Sequence, residues 1–143
     1  MGTKKKRSPS EQAHHTAKWA RTMTKWLVTY NARRGARWNL VEFGGKAKAE
    51  ARGIVDLVAI RKDHRRDTEG VKRGDLFEIV LIQTKGGSAR RPSRNDVIRL
   101  QRVARHHRAR AVILAEWQRG ARLELFKLIR GDWEPVSADE VFG

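Results

Sequence analysis

The sequence contains no cysteine, which excludes disulfide bonds, thiolate metal sites such as zinc fingers, and cysteine nucleophiles. No apolar run approaches the roughly 18 residues that a membrane span needs, and no apolar stretch follows the basic N-terminus as a secretory signal would require. Acidic residues are also few, with 16 Asp and Glu against 32 Lys and Arg. We therefore expect a protein of a reducing compartment without a membrane partner, cytoplasmic and, in a prokaryote, associated with the nucleoid.

The surplus of positive charge indicates a polyanionic partner. The formal net charge is +16 in 143 residues, a length that fits one domain with one modest core. Charge of this size in one small domain is typical of a nucleic-acid binder. Association with anionic membrane surfaces or with the ribosome is the alternative that composition leaves open.

Positive charge is concentrated in two stretches. One is the run over 4–7, within a segment over 1–9 that we expect to be a disordered basic tail. The other is the stretch over 85–110, with nine Lys or Arg and one Asp. The last 13 residues, 131–143, hold four acids and no Lys or Arg, and we expect them to form a short, irregular acidic tail. The side chains expected to contact DNA phosphates are Lys4, Lys5, Lys6, Arg7, Arg90, Arg91, Arg94, Arg102, Arg105 and Arg108.

Hydrophobic periodicity predicts the order of secondary structure. Apolar residues at three- and four-residue steps predict a helix over 10–31, with Trp19 and Trp26 packed in the core. Ser93 followed by Asp96 forms a capping box that begins a second helix. Apolar runs predict strands over 38–43, 54–60, 76–85, 111–115 and 123–128. We therefore expect a single α/β domain over 10–130, in the order helix-strand-strand-strand-helix-strand-strand, with a mixed central sheet flanked by helices.

Asp56 stands alone within the apolar run over 54–60 and needs a partner there, because an unpaired buried charge is costly. Gln83 and Lys85 point to one face at the polar end of the strand over 76–85. If these two strands are neighbours, the three side chains converge at one end of the sheet. The Asp56 carboxylate, the Gln83 amide oxygen and the backbone carbonyl of Thr84 are hard oxygen ligands that suit Mg²⁺ or Mn²⁺. Lys85 can orient an attacking water or neutralise charge that develops on a phosphate.

The residues around this constellation resemble a known family. The segment Gly-Ile-Val-Asp-Leu-Val-Ala over 53–59, followed by Ile-Gln-Thr-Lys over 82–85, is similar to the motif of the PD-(D/E)xK nuclease superfamily, in a QxK variant with Gln83 in place of the second acid. The order of predicted elements over 10–129 is similar to the core of that superfamily. The size, the basic charge and the Gly44-Gly45 turn resemble the archaeal Holliday junction resolvases, and the Gln-x-Lys pattern resembles the Mrr-type restriction endonucleases.

The resemblance implies a restriction-endonuclease-like fold and a metal-dependent DNA endonuclease that hydrolyses phosphodiester bonds, with Asp56, Gln83 and Lys85 as catalytic residues. The expected substrate is duplex or branched DNA, cut in a structure-specific way as Holliday junction resolvases do, and the expected assembly is a homodimer. Many members of the superfamily place a glutamate on the first helix. Glu11, or else Glu42 on the first strand, is the candidate for that role.

Two other functions stay open. One is a catalytically silent nucleic-acid binding module of the same fold, and the other is a basic RNA-binding protein in which Asp56 is incidental. For single residues, the structural alternatives are an Asp56 that pairs with an arginine, and a Glu78 that faces away from Gln83 and pairs with Lys72 or Arg73.

Overall fold

A computed structural model describes residues 6, 8–31, 37–43, 53–64, 69–87, 89–117 and 122–143. In chain order the elements are α1 (Pro9–Asn31), β1 (Asn39–Glu42), β2 (Leu57–Lys62), β3 (Phe77–Gly86), α2 (Arg94–His106), β4 (Ala111–Trp117), β5 (Glu124–Ile129), β6 (Asp132–Val136) and α3 (Ala138–Phe142). The predicted order of the first seven elements is confirmed. In these ranges no helix has the length and apolarity that a membrane crossing requires.

The six strands form one mixed sheet in the spatial order β1-β2-β3-β4-β5-β6. β3 and β4 are parallel, connected through α2, and all other neighbours are antiparallel. The condition that the strands predicted over 54–60 and 76–85 are neighbours is met, because β2 pairs with β3 and Leu57 lies opposite Ile82. A single α/β domain with a mixed sheet is therefore the architecture of the chain.

Helices cover both faces of the sheet, which is why the central strands are apolar at consecutive positions. α1 and α3 pack on one face, where Val28 and Phe142 belong to the same buried cluster as Ile82. α2 packs on the other face, where Leu100 lies in a second cluster with Leu81. Consecutive residues of β3 are thus buried on opposite sides of the sheet.

α1 buries a face that overlaps the predicted apolar stripe at Ala20 but does not include the two tryptophans. Ala20, Thr24 and Val28 are fully buried against the sheet, whereas Trp19 is 40% exposed and Trp26 is 66% exposed. The prediction that the two tryptophans pack in the core is wrong. Small side chains take their place.

The physical reason is the close approach of α1 to β3. A Cβ on Gly86 would lie only 2.7 Å from the carbonyl oxygen of Thr16, so the space between helix and sheet admits only small groups. Thr24 is accepted there because its hydroxyl donates to the carbonyl oxygen of Ala20 at 2.7 Å, which leaves no unsatisfied polar atom.

α2 begins with the predicted capping box, which is confirmed. The Ser93 hydroxyl accepts the Asp96 N–H at 3.2 Å, and the Asp96 carboxylate accepts the Ser93 N–H at 3.4 Å. Val97 and Leu100 then face the sheet.

The prediction of an irregular segment after Gly131 is wrong, since β6 and α3 form there. Arg130 and Gly131 both have positive φ, 52° and 86°, as the two central residues of a tight hairpin turn require. Ser137 and Glu140 then form a second capping box that begins α3.

The end of the chain closes the core instead of leaving it as a tail. Phe142 is fully buried, and its carbonyl oxygen accepts the Trp38 indole N–H at 2.9 Å. The two rings meet edge to face at 5.6 Å between centroids. The acidic residues of this segment lie on its exposed side, while Val141 and Phe142 supply the apolar contact.

Candidate functional site

Asp56 lies one residue before β2, at a bend, and not inside the strand as predicted. Its backbone is held from both sides, because its N–H donates to the Ile82 carbonyl at 3.0 Å and its carbonyl accepts the Phe43 N–H at 2.8 Å. The end of β1, the start of β2 and the middle of β3 therefore fix the position of this one residue.

The Asp56 carboxylate is bound to Thr84 on β3. Its Oδ2 accepts the Thr84 backbone N–H at 2.7 Å and the Thr84 hydroxyl at 3.2 Å. The carboxylate thus serves as an acceptor for β3 at the position just before the first residue of β2. Both bonds go to Oδ2, and Oδ1 takes part in neither. Among the described residues Asp56 forms no ion pair, so the alternative of an Asp56–arginine pair is not what the structure shows.

Burial of Asp56 raises the pKa of its carboxyl group. The two hydrogen bonds from Thr84 and the positive charge of Arg21 act in the opposite direction and are outweighed. A nearby cation would favour the ionised form of such a carboxyl group, because the positive charge offsets the cost of burying the negative one.

Gln83 is adjacent to Asp56 across the ladder, because Leu57 lies opposite Ile82 in the antiparallel pair. The Gln83 amide oxygen, Oε1, is buried and has no hydrogen-bond partner among the described residues. A buried acceptor without a donor costs about 1–3 kcal/mol, so most such atoms in native proteins are satisfied. The Gln83 oxygen is such an exception, on the residue adjacent to Asp56, whose pKa is raised. Binding of a cation or another ligand would satisfy this oxygen.

A cleft of about 640 Å³ opens at this end of the sheet. Gln83, Thr84 and Lys85 line it from β3, and Gln12 and Thr16 line it from α1. Sequence reasoning missed Gln12, which carries no charge and lies outside any motif.

Glu11, the sequence candidate on the first helix, is bound elsewhere. Its carboxylate accepts the Ser8 N–H at 3.1 Å, and its own N–H donates to the Ser8 hydroxyl at 3.2 Å. The carboxylate therefore closes the start of α1. It is the neighbouring Gln12 that reaches the cleft.

Glu42, the second sequence candidate, joins α1 to β1. It accepts Arg21 Nε at 3.0 Å and Lys25 Nζ at 2.7 Å. The hydrogen bond from Lys25 is the main cause that lowers the pKa of the Glu42 carboxyl, with the charges of both cations adding to it. Its charge is therefore already neutralised by α1.

Lys85 is held by a carboxylate that the sequence analysis missed. Its Nζ donates to the Gly87 carbonyl at 3.3 Å and lies 3.9 Å from Glu116 Oε1. Glu116 is the direct neighbour of Lys85 in the parallel ladder, and its other oxygen accepts Arg91 Nε at 3.0 Å. The sequence contains a signal for Glu116, because it follows the apolar run over 111–115 just as Gln83 and Lys85 follow the apolar residues of the strand over 76–85.

The donor set fits one hard divalent cation bound weakly. Asp56 and Gln83 are neighbours where β2 and β3 meet, and they could supply a carboxylate oxygen and an amide oxygen, which suit Mg²⁺ or Mn²⁺ when water and a phosphate complete the coordination. No group of three or more His, Cys, Asp or Glu side chains with metal-binding geometry occurs in the described ranges. The unsatisfied Gln83 oxygen is the observation that favours the cation.

Most of the predicted DNA-contacting side chains are exposed where the structure describes them. Arg91 is partly engaged, since it binds Glu116 and its guanidinium lies 4.5 Å above the Phe126 ring. Lys4, Lys5, Arg7 and the Gly44-Gly45 turn lie outside the described residues. Exposed to solvent are Lys6, Arg90, Arg94, Arg102, Arg105 and Arg108.

Comparison with protein-family models and with curated proteins gives no match to this sequence. Any assignment of function therefore depends on the chemistry of the cleft and of the surface around it.

Proposed function

We propose that the protein is a metal-dependent DNA endonuclease with a restriction-endonuclease-like fold, in the Gln-x-Lys variant of the PD-(D/E)xK pattern. The observation that carries the proposal is the buried Gln83 Oε1, which has no hydrogen-bond partner among the described residues, on a residue that is adjacent to Asp56 in the ladder and lines the cleft together with Lys85. The order of elements supports it, because helix, three strands, helix and strand is the order in which the sequence resembles the core of that superfamily.

In this proposal each side chain has one role. Asp56 and Gln83 would hold Mg²⁺ or Mn²⁺, which would supply polarisation of the phosphate and activation of a water molecule. Thr84 positions Asp56 through its two hydrogen bonds, and its backbone carbonyl is a third candidate ligand. Lys85 neutralises negative charge that develops on the phosphate, and Glu116 keeps the ammonium group in place.

The substrate follows from the surface around the cleft. The exposed arginines of α2 meet phosphates, which position a protein on DNA without reading its sequence. Duplex or branched DNA cut in a structure-specific way, by a homodimer with two active sites, is therefore the form of the proposal. Replacing Arg94, Arg102 and Arg105 with alanine tests this surface, because log K falls by about 0.9 per duplex phosphate contact for each tenfold rise in salt. The triple variant should show a shallower salt dependence, and an unchanged slope would place the contacts elsewhere.

A cleavage assay with Mg²⁺ or Mn²⁺ on a four-way junction, a linear duplex and a single strand tests the reaction. Asp56→Asn should lose cleavage and keep DNA binding, since it removes a ligand and a negative charge near phosphate. Asp132→Asn, the same change at an exposed position of β6, is the matched control and should cut normally. If Asp56→Asn cuts at the wild-type rate, the site is assigned wrongly.

Gln83→Glu sharpens the same experiment. It adds a charged oxygen ligand, so activity at low metal concentration should rise, and Mn²⁺ should support more activity than Mg²⁺ in the unmodified protein. Loss of activity in Gln83→Glu, or no metal binding to either form by titration calorimetry, would show that Gln83 is not a ligand.

The second candidate is a catalytically silent nucleic-acid binding module. The observation in its favour is that, within the described part of the chain, Asp56 is the carboxylate adjacent to Gln83 in the ladder, while Glu42 and Glu11 are bound elsewhere. DNA binding without cleavage under either metal would select it. Tighter binding to RNA than to junction or duplex DNA would favour the RNA-binding alternative instead.

A further inference from the structure

The outer side of α1 carries an aromatic stripe, formed by Trp19, Trp26 and Tyr30. Their spacings of seven and four residues place the three rings on one face of the helix, since each residue turns it by about 100°. They are 40%, 66% and 64% exposed. At about 1.5 Å of rise per residue, the stripe extends over about 16 Å.

We infer that this stripe is a stacking platform for unpaired nucleotides of the DNA strand that enters the cleft. Aromatic rings on a positively charged surface are the means by which proteins hold single-stranded nucleic acid irrespective of sequence, because every base has a face on which to stack. The inference rests on the proposed function for its choice of DNA, and it narrows the substrate class to DNA with an unpaired strand.

The stripe is preorganised at its N-terminal end. The Trp19 indole N–H donates to His15 Nε2 at 2.8 Å, and the two rings meet edge to face at 6.0 Å. A ring whose orientation is already fixed loses less conformational entropy when a base stacks on it.

Charge favours nucleic acid over a second copy of the chain as the occupant. From residue 12 to residue 31 the helix contains no Asp or Glu but has Lys18, Arg21 and Lys25. Arg21 and Lys25 share the single carboxylate of Glu42, so this part of the surface keeps a net positive charge. Two copies that meet through this face would bring like charges together in a chain of net charge +16, which Coulomb repulsion opposes. A nucleic-acid strand carries the opposite charge, and its width suits a narrow row of three rings. A stable interface between two protein copies would need a broader surface of about 800 Å² per partner.

The stripe is continuous with the cleft. Gln12 and Thr16, which line the cleft from α1, precede Trp19 by seven and three residues on the same helix. A strand stacked along the stripe is therefore led toward Gln83 and Lys85.

Fluorescence anisotropy with labelled oligo(dT) and with a blunt duplex tests this in EDTA, where no cleavage takes place. Trp26→Ala and Tyr30→Ala should each weaken oligo(dT) binding about tenfold, with less than a twofold effect on the duplex. Trp26→Phe should restore most of the affinity because it keeps a stacking ring. Phe77→Ala, which removes an equally exposed ring (59%) at the start of β3, should leave both affinities unchanged.

Unchanged oligo(dT) affinity in Trp26→Ala and Tyr30→Ala would overturn the inference. Should sedimentation velocity then show a wild-type dimer that these variants convert to monomer, the stripe is an interface between two copies. The measurement is independent of cleavage: a wild-type protein that never cuts DNA but shows the tenfold losses would refute the nuclease and retain the stacking platform.

Discussion

Replacing Asp56 by alanine and by asparagine separates its structural role from its role toward a cation. Alanine removes the acceptor of the Thr84 N–H and of the Thr84 hydroxyl in a partly buried position. A donor left without a partner in such a place costs about 1–3 kcal/mol. At roughly 4 °C per kcal/mol for a domain near this size, Asp56→Ala should melt roughly 4–12 °C below the wild type.

Asparagine keeps an oxygen that can accept from Thr84 and removes the charge. Burial raises the pKa of Asp56, so in the folded protein ionisation is unfavourable relative to the unfolded chain. The sign follows: without metal, the wild type loses stability as pH rises through the folded-state pKa, and the Asn variant does not. In EDTA at pH 8 Asp56→Asn should therefore be at least as stable as the wild type, and the advantage should disappear in acid, where Asp56 is protonated.

The assay is thermal unfolding followed by circular dichroism, in EDTA and with Mn²⁺. A ligand at about 100 times its Kd stabilises the folded state by about 2.7 kcal/mol, so Mn²⁺ should raise the Tm of the wild type and not that of either Asp56 variant. Thr84→Val, which removes only the weaker of the two bonds, should show a smaller loss than Asp56→Ala. Equal destabilisation by Ala and Asn would refute the acceptor role, and an equal Mn²⁺ shift in Asp56→Asn would refute the ligand role.

Three further substitutions test the assignments around the site. Gln83→Met removes a buried oxygen that has no partner among the residues described by the structure, so chemical denaturation in EDTA should show a gain of about 1 kcal/mol while cleavage is lost; a loss of stability would mean that the oxygen is satisfied in solution. Glu78→Gln breaks buried ion pairs of 2.7 and 2.9 Å to two arginines and should cost about 3–5 kcal/mol in denaturant titration, yet the protein that stays folded should bind DNA normally. Glu42→Gln should be less stable than the wild type at neutral pH and equal to it in strong acid, because a lowered carboxyl pKa gives stability that is lost as pH falls through it; a difference independent of pH would contradict the assignment.

The pairing of β2 with β3 was predictable because both are buried runs that follow one another along the chain, and neighbouring elements usually pack side by side. From that pairing it follows that Asp56 and Gln83 lie at the same end of the two strands, whereas their alignment depends on the register that sets Leu57 opposite Ile82. The bend that turns the Asp56 carboxylate toward Thr84 does not follow, since it depends on where β2 begins.

The face that α1 buries was not predictable from hydrophobicity. Periodicity places the largest apolar residues inside, yet Thr24 lies inside and Trp26 outside, on a helix whose backbone at Thr16 lies close against Gly86 of β3. The distance between two elements is a tertiary property, and a residue scale contains no information about it.

The predicted ion-pair partners of Glu78 were wrong for a related reason. The sequence placed Lys72 or Arg73 beside Glu78 because they are near it in the chain. The structure places Arg61 there, as the direct cross-strand neighbour in the β2–β3 ladder, and Arg110, which precedes β4. The register of the sheet determines these partners, and it was unknown until the strands were placed.

The pattern of our proposal has an acid where this chain has Gln83, and an uncharged amide at this position is consistent with the charges around it. Burial already makes ionisation of Asp56 unfavourable. Glu116 adds a second carboxylate on the strand next to β3, and Lys85 and Arg91 balance its charge. A glutamate at position 83 would lie next to Asp56 across the ladder, and two carboxylates at that distance raise each other's pKa and destabilise the metal-free fold. The amide supplies an oxygen for a cation without that repulsion. The consequence is weaker affinity for the metal, so in this proposal the substrate phosphate completes the charge that binds it.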